Sequence, residues 1–326
     1  MERIAFLTDS GVLGWNALIL TLAAAAAVCI FLALYLIRDG DPMAGFPVIP
    51  LALALSLLGA RALHWYVYPD RYPGFWAAVT DFSSGGFALA GVFAGCILAA
   101  VLLRLTRLER NLPRLLDCMA VAGAAGITVG RMASLFDASD RGRMVESLRN
   151  LPWVYPVTNV TSGATEYRLA TFMLQAMVAL ALFAVLAVFL LTGERRKLKD
   201  GDTALIFLLC YGASQILLDS TRYDSMYFRS NGFVSIEQVL GLVMVLLAVA
   251  VFSVRLVRSR GFRKWYLTLW AGTAGLLGGA GYMEYYVQRH GNEAVFAYSI
   301  MGTCLALMVV LTLAIRFLAR IPPERE

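Results

Sequence analysis

Nine stretches of about twenty predominantly apolar residues divide this chain, at 15–37, 43–64, 84–103, 115–134, 169–192, 203–219, 233–254, 265–284 and 294–315. About 20 such residues carry a helix across the ~30 Å hydrocarbon core of a bilayer. Backbone N–H and C=O groups find no water there, so a spanning segment is either a helix or a strand of a closed barrel. None of the nine alternates apolar and polar positions as barrel strands do. The expectation is therefore an all-α polytopic membrane protein. Composition agrees, with 60% hydrophobic and 15% charged residues in a chain of 326, against about a half and about a quarter in soluble domains. The first stretch is too long for a secretory signal and lacks its basic leader and cleavage site, so it is expected to remain as a helix.

Lys and Arg in short loops set orientation. With the N-terminus outside and the C-terminus inside, the inner loops hold Arg38; Arg104, Arg107, Arg110 and Arg114; Arg195, Arg196, Lys197 and Lys199; Arg255, Arg258, Arg260, Arg263 and Lys264; and Arg316, Arg320 and Arg325. That is 17 of the 28 basic residues, so N-out/C-in is the expected topology. The net charge of +6 then reflects membrane orientation, and no nucleic-acid partner is expected. Cys29, Cys96, Cys118, Cys210 and Cys304 all fall inside expected spans without ligand-type spacing, and the chain has two His. No metal site, disulfide or cofactor is expected.

Ionisable side chains at membrane depth are costly and mark functional positions. Four places toward the outer side carry them. Arg61 lies in LLGARALHW; Arg131 ends GITVGR, with Asp137, Asp140, Arg141 and Arg143 beyond it. Gln215 and Asp219 lie one helical turn apart in YGASQILLDSTRYD, followed by Arg222 and Asp224, and Glu237 and Gln238 fall in GFVSIEQVLGL. The fixed fork of a guanidinium suits a phosphate. These segments are expected to hold an anionic phospholipid headgroup while its tails lie between helices. Taken singly, Arg61 reads equally as a residue snorkelling to the interface, and Asp219 with Arg222 as a structural ion pair. Residues 135–168, with LPW at 151–153, are expected to form an extracytoplasmic cap with little secondary structure of its own. His64, beside Trp65, is expected at the membrane interface.

Six segments, in order from about residue 12 to 257, resemble the prolipoprotein diacylglyceryl transferases. They are LLGAR at 57–61, GGFALAGVFAG at 85–95, LDCMAVAGAAGITVGR at 116–131, LPW in the outer loop, DGDTALIFLLCYGASQILLDSTRYD at 200–224 and VSIEQVLGL at 234–242. The resemblance implies a seven-helix core over residues 1–257, capped at about 135–168, with residues 258–326 adding two C-terminal spans. It also implies transfer of a diacylglyceryl group from phosphatidylglycerol to the thiol of a lipoprotein-precursor cysteine, releasing glycerol phosphate at the outer face of the bacterial plasma membrane. By the same mapping Arg131, Asp219 and Arg222 are the catalytic candidates, and Arg61, Arg131, Gly142, Arg143 and Gln238 the headgroup candidates, with Arg131, Arg143 and Arg222 holding the phosphate.

The chain departs from the family pattern at several positions. The family's His falls on Ala90, its signature Asn, Asn and Glu on Ser134, Asp137 and Ser139, an Arg on Gln215, and the Tyr of the first helix on Asn16. The family's polar outer-loop element becomes RLATFMLQ, which keeps Arg168. A thiol of pKa ~8.5 needs a base or a thiolate-stabilising charge, and Asp137, Asp140 and Asp219 are the carboxylates at hand. Two readings follow: a divergent transferase, or a relative that binds anionic lipid or a membrane partner without catalysis. Convergence of Arg131, Arg143 and Arg222 beside Asp219 would favour the first. In the C-terminal extension, KWYLTLWAGTAGLLGGAGY is rich in small residues that suit close helix packing, and Trp265, Tyr266 and Trp270 read as interface anchors.

Overall fold

The computed structural model describes residues 4–8, 11–81, 86–136, 140–145, 150–158, 163–192, 199–228, 231–290 and 293–320. A helix occupies each of the nine apolar stretches. In chain order the helices are α1 (Trp15–Ile37), α2 (Pro42–Val67), a short α3 (Phe75–Thr80), α4 (Leu89–Leu105), α5 (Leu112–Arg131), α6 (Thr171–Leu191), α7 (Asp202–Ser220), α8 (Ile236–Arg260), α9 (Tyr266–Arg289) and α10 (Ala294–Leu318). Seven have the length and apolarity to cross a membrane; α4 is apolar but shorter. Helix α9 has the length, while its Gly, Thr and Tyr content lowers its hydropathy. The fold is that of an all-α polytopic membrane protein.

Three antiparallel hairpins among the described residues were not expected from the sequence. They are β1 (Ile4–Thr8) with β2 (Gly11–Gly14), β3 (Val154–Thr158) with β4 (Thr165–Leu169), and β5 (Tyr227–Phe228) with β6 (Asn231–Ser235). The second corrects the reading of 135–168 as a cap almost without secondary structure. Its strands VYPVT and TEYRL are rich in β-branched and aromatic residues, and the pairing satisfies backbone groups that no helix serves. Pro156, which has no N–H to donate, sits in the outer strand of this hairpin.

By packing, the chain forms two compact units. The first comprises Met1–Phe207 and Thr221–Glu237. In it α2 packs on α4, and α5 lies against both α1 and α6. Small residues make these approaches close: Ala60, Ala90, Ala99, Ala100 and Ala124 are buried. Gly91 sits so near α2 that a Cβ there would come 2.7 Å from the Ala60 Cα. With no hydrophobic drive between helices in lipid, such close contact is what holds them together.

Polar groups tie one end of this unit. The α5 carboxylate Asp117 accepts the backbone N–H of Gly201 and of Ala204, both at 2.7 Å, and so serves the orphan donors of the start of α7. Asp200 next to them pairs with Arg38 at 3.0 Å and accepts from Asn111 Nδ2 at 2.6 Å. The Tyr35 hydroxyl donates to Glu109. Arg38, Glu109, Asn111 and Asp200 come from three loops expected on one face, and they do meet.

The second unit comprises Leu208–Ser220 and Gln238–Glu326. Here α9 packs on α10, the Tyr298 hydroxyl donates to the Ser220 carbonyl at 2.9 Å, and Trp270 Nε1 donates to Ser253 Oγ at 3.0 Å. Tyr266, expected as an interface anchor, is fully buried instead, whereas Trp265 is exposed.

Asp117→Ala would strand two backbone donors. Leaving buried donors unsatisfied costs ~1–3 kcal/mol, so the thermal unfolding midpoint of the detergent-solubilised protein is expected to fall clearly below that of the unsubstituted chain.

Candidate functional site

At the other end of α5 the helix stops at Arg131 and tightens into a 3-10 turn over Met132–Leu135. The chain then reaches Asp140, a non-glycine residue at φ 59°, a conformation held only where surrounding contacts outweigh its cost. Those contacts are present. Asp140 Oδ2 accepts from Arg131 Nη1 at 2.8 Å and from Ser134 Oγ at 2.9 Å, while Oδ1 faces Arg222 Nη2 at 2.7 Å. One carboxylate thus bridges two buried guanidiniums. Asp224 completes the group, taking the Asp140 N–H at 2.7 Å and facing Arg222 Nε at 3.3 Å. Glu237 lies 4.0 Å from Arg131 Nη2.

The backbone that delivers these residues is strand-like. Gly142 N–H donates to the Leu169 carbonyl at 2.8 Å, and Val145 N–H to that of Tyr167 at 2.8 Å, so residues 142–145 extend the β3–β4 hairpin. On their other side Arg143 N–H donates to Thr221 at 2.9 Å and Tyr223 N–H to Arg141 at 2.8 Å. Arg222 and Arg143 are therefore fixed on adjacent extended segments. Arg168 pairs with Glu166 at 2.7 Å and lies over the Tyr223 ring at 4.6 Å. A Cβ on Gly142 would stand 2.6 Å from Leu169 Cβ, from the Leu169 carbonyl oxygen and from Thr171 Oγ1. Only glycine fits between those strands.

The two carboxylates are tuned in opposite directions. Burial alone would raise the Asp140 carboxyl, but the Arg131 and Arg222 guanidiniums and the Ser134 hydroxyl outweigh it and hold it well below the usual carboxylate range. Burial raises Asp224, and the neighbouring Asp140 charge adds to that, against the partial offset from Arg222. Asp140 is thus ionised and a poor proton acceptor. Asp224 is the better base.

The other sequence candidates fall elsewhere. Arg61 is buried in the α2–α4 corner, donating to the carbonyls of Ala78 at 2.7 Å, Gly86 at 2.9 Å and Asp81. Its guanidinium lies over the Tyr72 and Phe87 rings, so in this structure it holds the backbone of Ala78, Asp81 and Gly86 against α2. His64, expected at the interface, is buried within the protein, 2.9 Å from the Tyr72 hydroxyl and packed on Gly86, whose φ of 80° suits glycine. Asp219, Gln215 and Gln238 are buried and belong to the second unit. Asp137 and Ser139 lie outside the described residues. The residue undervalued by sequence reasoning is Asp140, whose signal was its place in the one stretch dense in both Arg and Asp.

The helices and this buried arginine–carboxylate group define a polytopic membrane protein with a polar site at one end of α5. The family model described as prolipoprotein diacylglyceryl transferase matches residues 5–254. The chain belongs to that family, with α9 and α10 outside the matched region. It is similar to the phosphatidylglycerol–prolipoprotein diacylglyceryl transferase of Streptococcus suis (strain 05ZYH33), at 29% identity over 248 residues, covering 70% of this chain and 86% of the relative. The like-named protein of Finegoldia magna is 22% identical over 251 residues, covering 76% and 94%. That of Streptococcus agalactiae serotype Ia is 25% identical over 244 residues, covering 70% and 90%. Its spans and bacterial relatives make it a multi-pass protein of the bacterial plasma membrane.

Asp140→Ala would leave Arg131 and Arg222 without their shared partner, a change that costs ~3–5 kcal/mol at buried ion pairs. Because the folded-state pKa is depressed, the stability Asp140 contributes is present above its unfolded value of ~3.9 and is lost as pH falls through the folded value. The drop in unfolding midpoint caused by Asp140→Ala is therefore expected to be constant between about pH 5 and 8 and to shrink in strong acid. Gly142→Ala is expected to cost ~1–3 kcal/mol by overpacking, read in the same unfolding experiment.

Proposed function

We propose that this protein transfers the diacylglyceryl group of phosphatidylglycerol to the cysteine thiol of a lipoprotein precursor. The observation that carries the reading is the pair of guanidiniums, Arg131 and Arg222, fixed 2.8 and 2.7 Å from one carboxylate within the region matched to the family. Two arginines so placed suit a phosphodiester and the extra negative charge that develops as it leaves. Arg143, on the adjacent strand, is the third headgroup contact, and Gly142 supplies the close strand approach that positions it. Asp219 and Gln238 complete the proposed catalytic and headgroup sets, together with Arg61.

In this reaction the cysteine sulfur forms a bond to the terminal glyceryl carbon, and that carbon's bond to the phosphate oxygen breaks. Glycerol phosphate departs with the bonding pair. The thiol proton passes to a base and then to solvent. Asp224, with its raised pKa, is the proposed acceptor; Asp140 stays ionised and holds the arginines. The proposed topology is N-out/C-in, which puts Arg131 and the cap outside, where a secreted precursor arrives. The proposed catalytic region is 1–257, capped at about 135–168, with 258–326 as an extension.

A second reading, lipid binding without transfer, draws support from Ala90 at the family's histidine position and from Asp140 already bridging both guanidiniums.

The test supplies phosphatidylglycerol and a lipobox peptide to the purified protein, and follows glycerol phosphate release and the mass gain on the thiol. Transfer is expected, with Arg131→Ala and Arg222→Ala each lowering it by ~10²–10³-fold, as loss of one charge-stabilising donor does. Phosphatidylglycerol binding without transfer by the unsubstituted protein would establish the second reading. Asp224 must be deprotonated to act, so the acidic limb of the pH–rate profile is expected above the ordinary ~3.9 of an aspartate. Asp224→Asn should remove that limb while leaving the rise toward the thiol pKa of ~8.5.

A further inference from the structure

The second unit carries features that the transferase reading does not use. Residues 261–265 join α8 to α9, and residues of both helices line a cleft of about 240 Å³. Its walls are Leu246, Val249 and Ser253 on α8 and Trp270, Thr273, Ala274 and Leu277 on α9. On each helix these spacings repeat on one face. The lining is apolar apart from Ser253 and Thr273, and Trp270 Nε1 donates to Ser253 Oγ at 3.0 Å on the side toward 261–265.

The turn beyond it is strongly basic. From Gln238 to Met283 the sequence has no Asp or Glu, yet it has Arg255, Arg258, Arg260, Arg263 and Lys264. Arg258, Arg263 and Lys264 are exposed. Ser253 is five residues from Arg258 and Trp270 six from Lys264, ~8–9 Å along each helix. Tyr266 adds an independent sign. It is fully buried, its hydroxyl has no hydrogen-bond partner among the described residues, and it stands on α9 one turn before the cleft residue Trp270. A buried hydroxyl at that level is a donor in want of an acceptor.

We propose that this cleft binds an anionic phospholipid, with one acyl chain between α8 and α9 and the phosphate among Arg258, Arg263 and Lys264, accepting from the Tyr266 hydroxyl. The apolar walls match a hydrocarbon chain, and the uncompensated cations match the headgroup charge. A loop whose cations served only to orient the chain would need neither the cleft nor the buried hydroxyl. The site is separate from the Arg131–Arg222 group and does not depend on the transferase reading.

The test is native mass spectrometry of the full chain in detergent, titrated with palmitoyl-oleoyl phosphatidylglycerol or with phosphatidylcholine of the same chains. The unsubstituted protein is expected to hold one more phosphatidylglycerol than R258Q/R263Q/K264Q. Each surface cation contributes about fivefold, so the triple change should weaken that lipid roughly 100-fold. A274F fills the cleft with every cation intact and should expel the same lipid, and Y266F should weaken it without loss of fold. Soluble glycerol phosphate should not compete. Retention of the lipid by A274F, equal binding of phosphatidylcholine, or displacement by glycerol phosphate would each overturn the proposal. Should the triple variant fail to insert, A274F decides alone. Diacylglyceryl transfer by these variants should match that of the unsubstituted chain, so failure here is distinct from failure of the transferase reading.

Discussion

The Asp140 carboxylate, with one oxygen toward Arg131 and the other toward Arg222, is the interaction on which the Arg131 end of the first unit depends. Two guanidiniums withdrawn from water repel each other and lose hydration, and a shared carboxylate offsets both costs at once. Meeting it forces Asp140 into a left-handed backbone conformation and joins the end of α5 to the chain following α7. The strand-like pairing of residues 141–145 with β4 and with 221–223 supplies the rigidity that keeps the strained conformation in place. In the reaction proposed above, the same arrangement would present two arginines, already oriented, to the phosphate of the headgroup.

Helix α5 carries polar anchors at both ends and small apolar residues between. Asp117 near its start serves the backbone of α7, and Arg131 at its end enters the arginine–carboxylate group. These residues are fourteen apart, ~21 Å along the axis, which spans most of a hydrocarbon core. In α5 the polar contacts thus sit toward the two ends, and small residues such as Ala120, Ala124 and Ala125 are buried between them. The second unit follows the same plan, with Tyr298 and Trp270 hydrogen bonded at its ends.

The helices were legible because membrane spans leave a strong mark: every expected apolar stretch is helical. The hairpins were not, since VYPVT and TEYRL are each five residues long and sit among turn-forming residues. Arg131 and Arg222 were legible as candidates because a guanidinium stands out in an apolar context, and the structure brings them to one carboxylate. Arg61 stood out for the same reason, yet its donors serve the backbone carbonyls of Ala78 and Gly86, a use that pattern cannot reveal. His64 and Tyr266 read as interface residues from their neighbours Trp65 and Trp265, but both are buried, because side-chain direction around a helix separates adjacent residues by ~100°.

What the sequence determined by itself is the class of fold, the helix positions and the family, since each follows from runs and motifs local in the chain. What only the tertiary structure decided is which charges meet. Asp140 joining Arg131 to Arg222, Asp224 becoming the more basic carboxylate, and Gly142 leaving room for two strands all depend on contacts between segments some 30–90 residues apart. Electrostatic energy varies with separation and burial, and neither is written in the order of the residues.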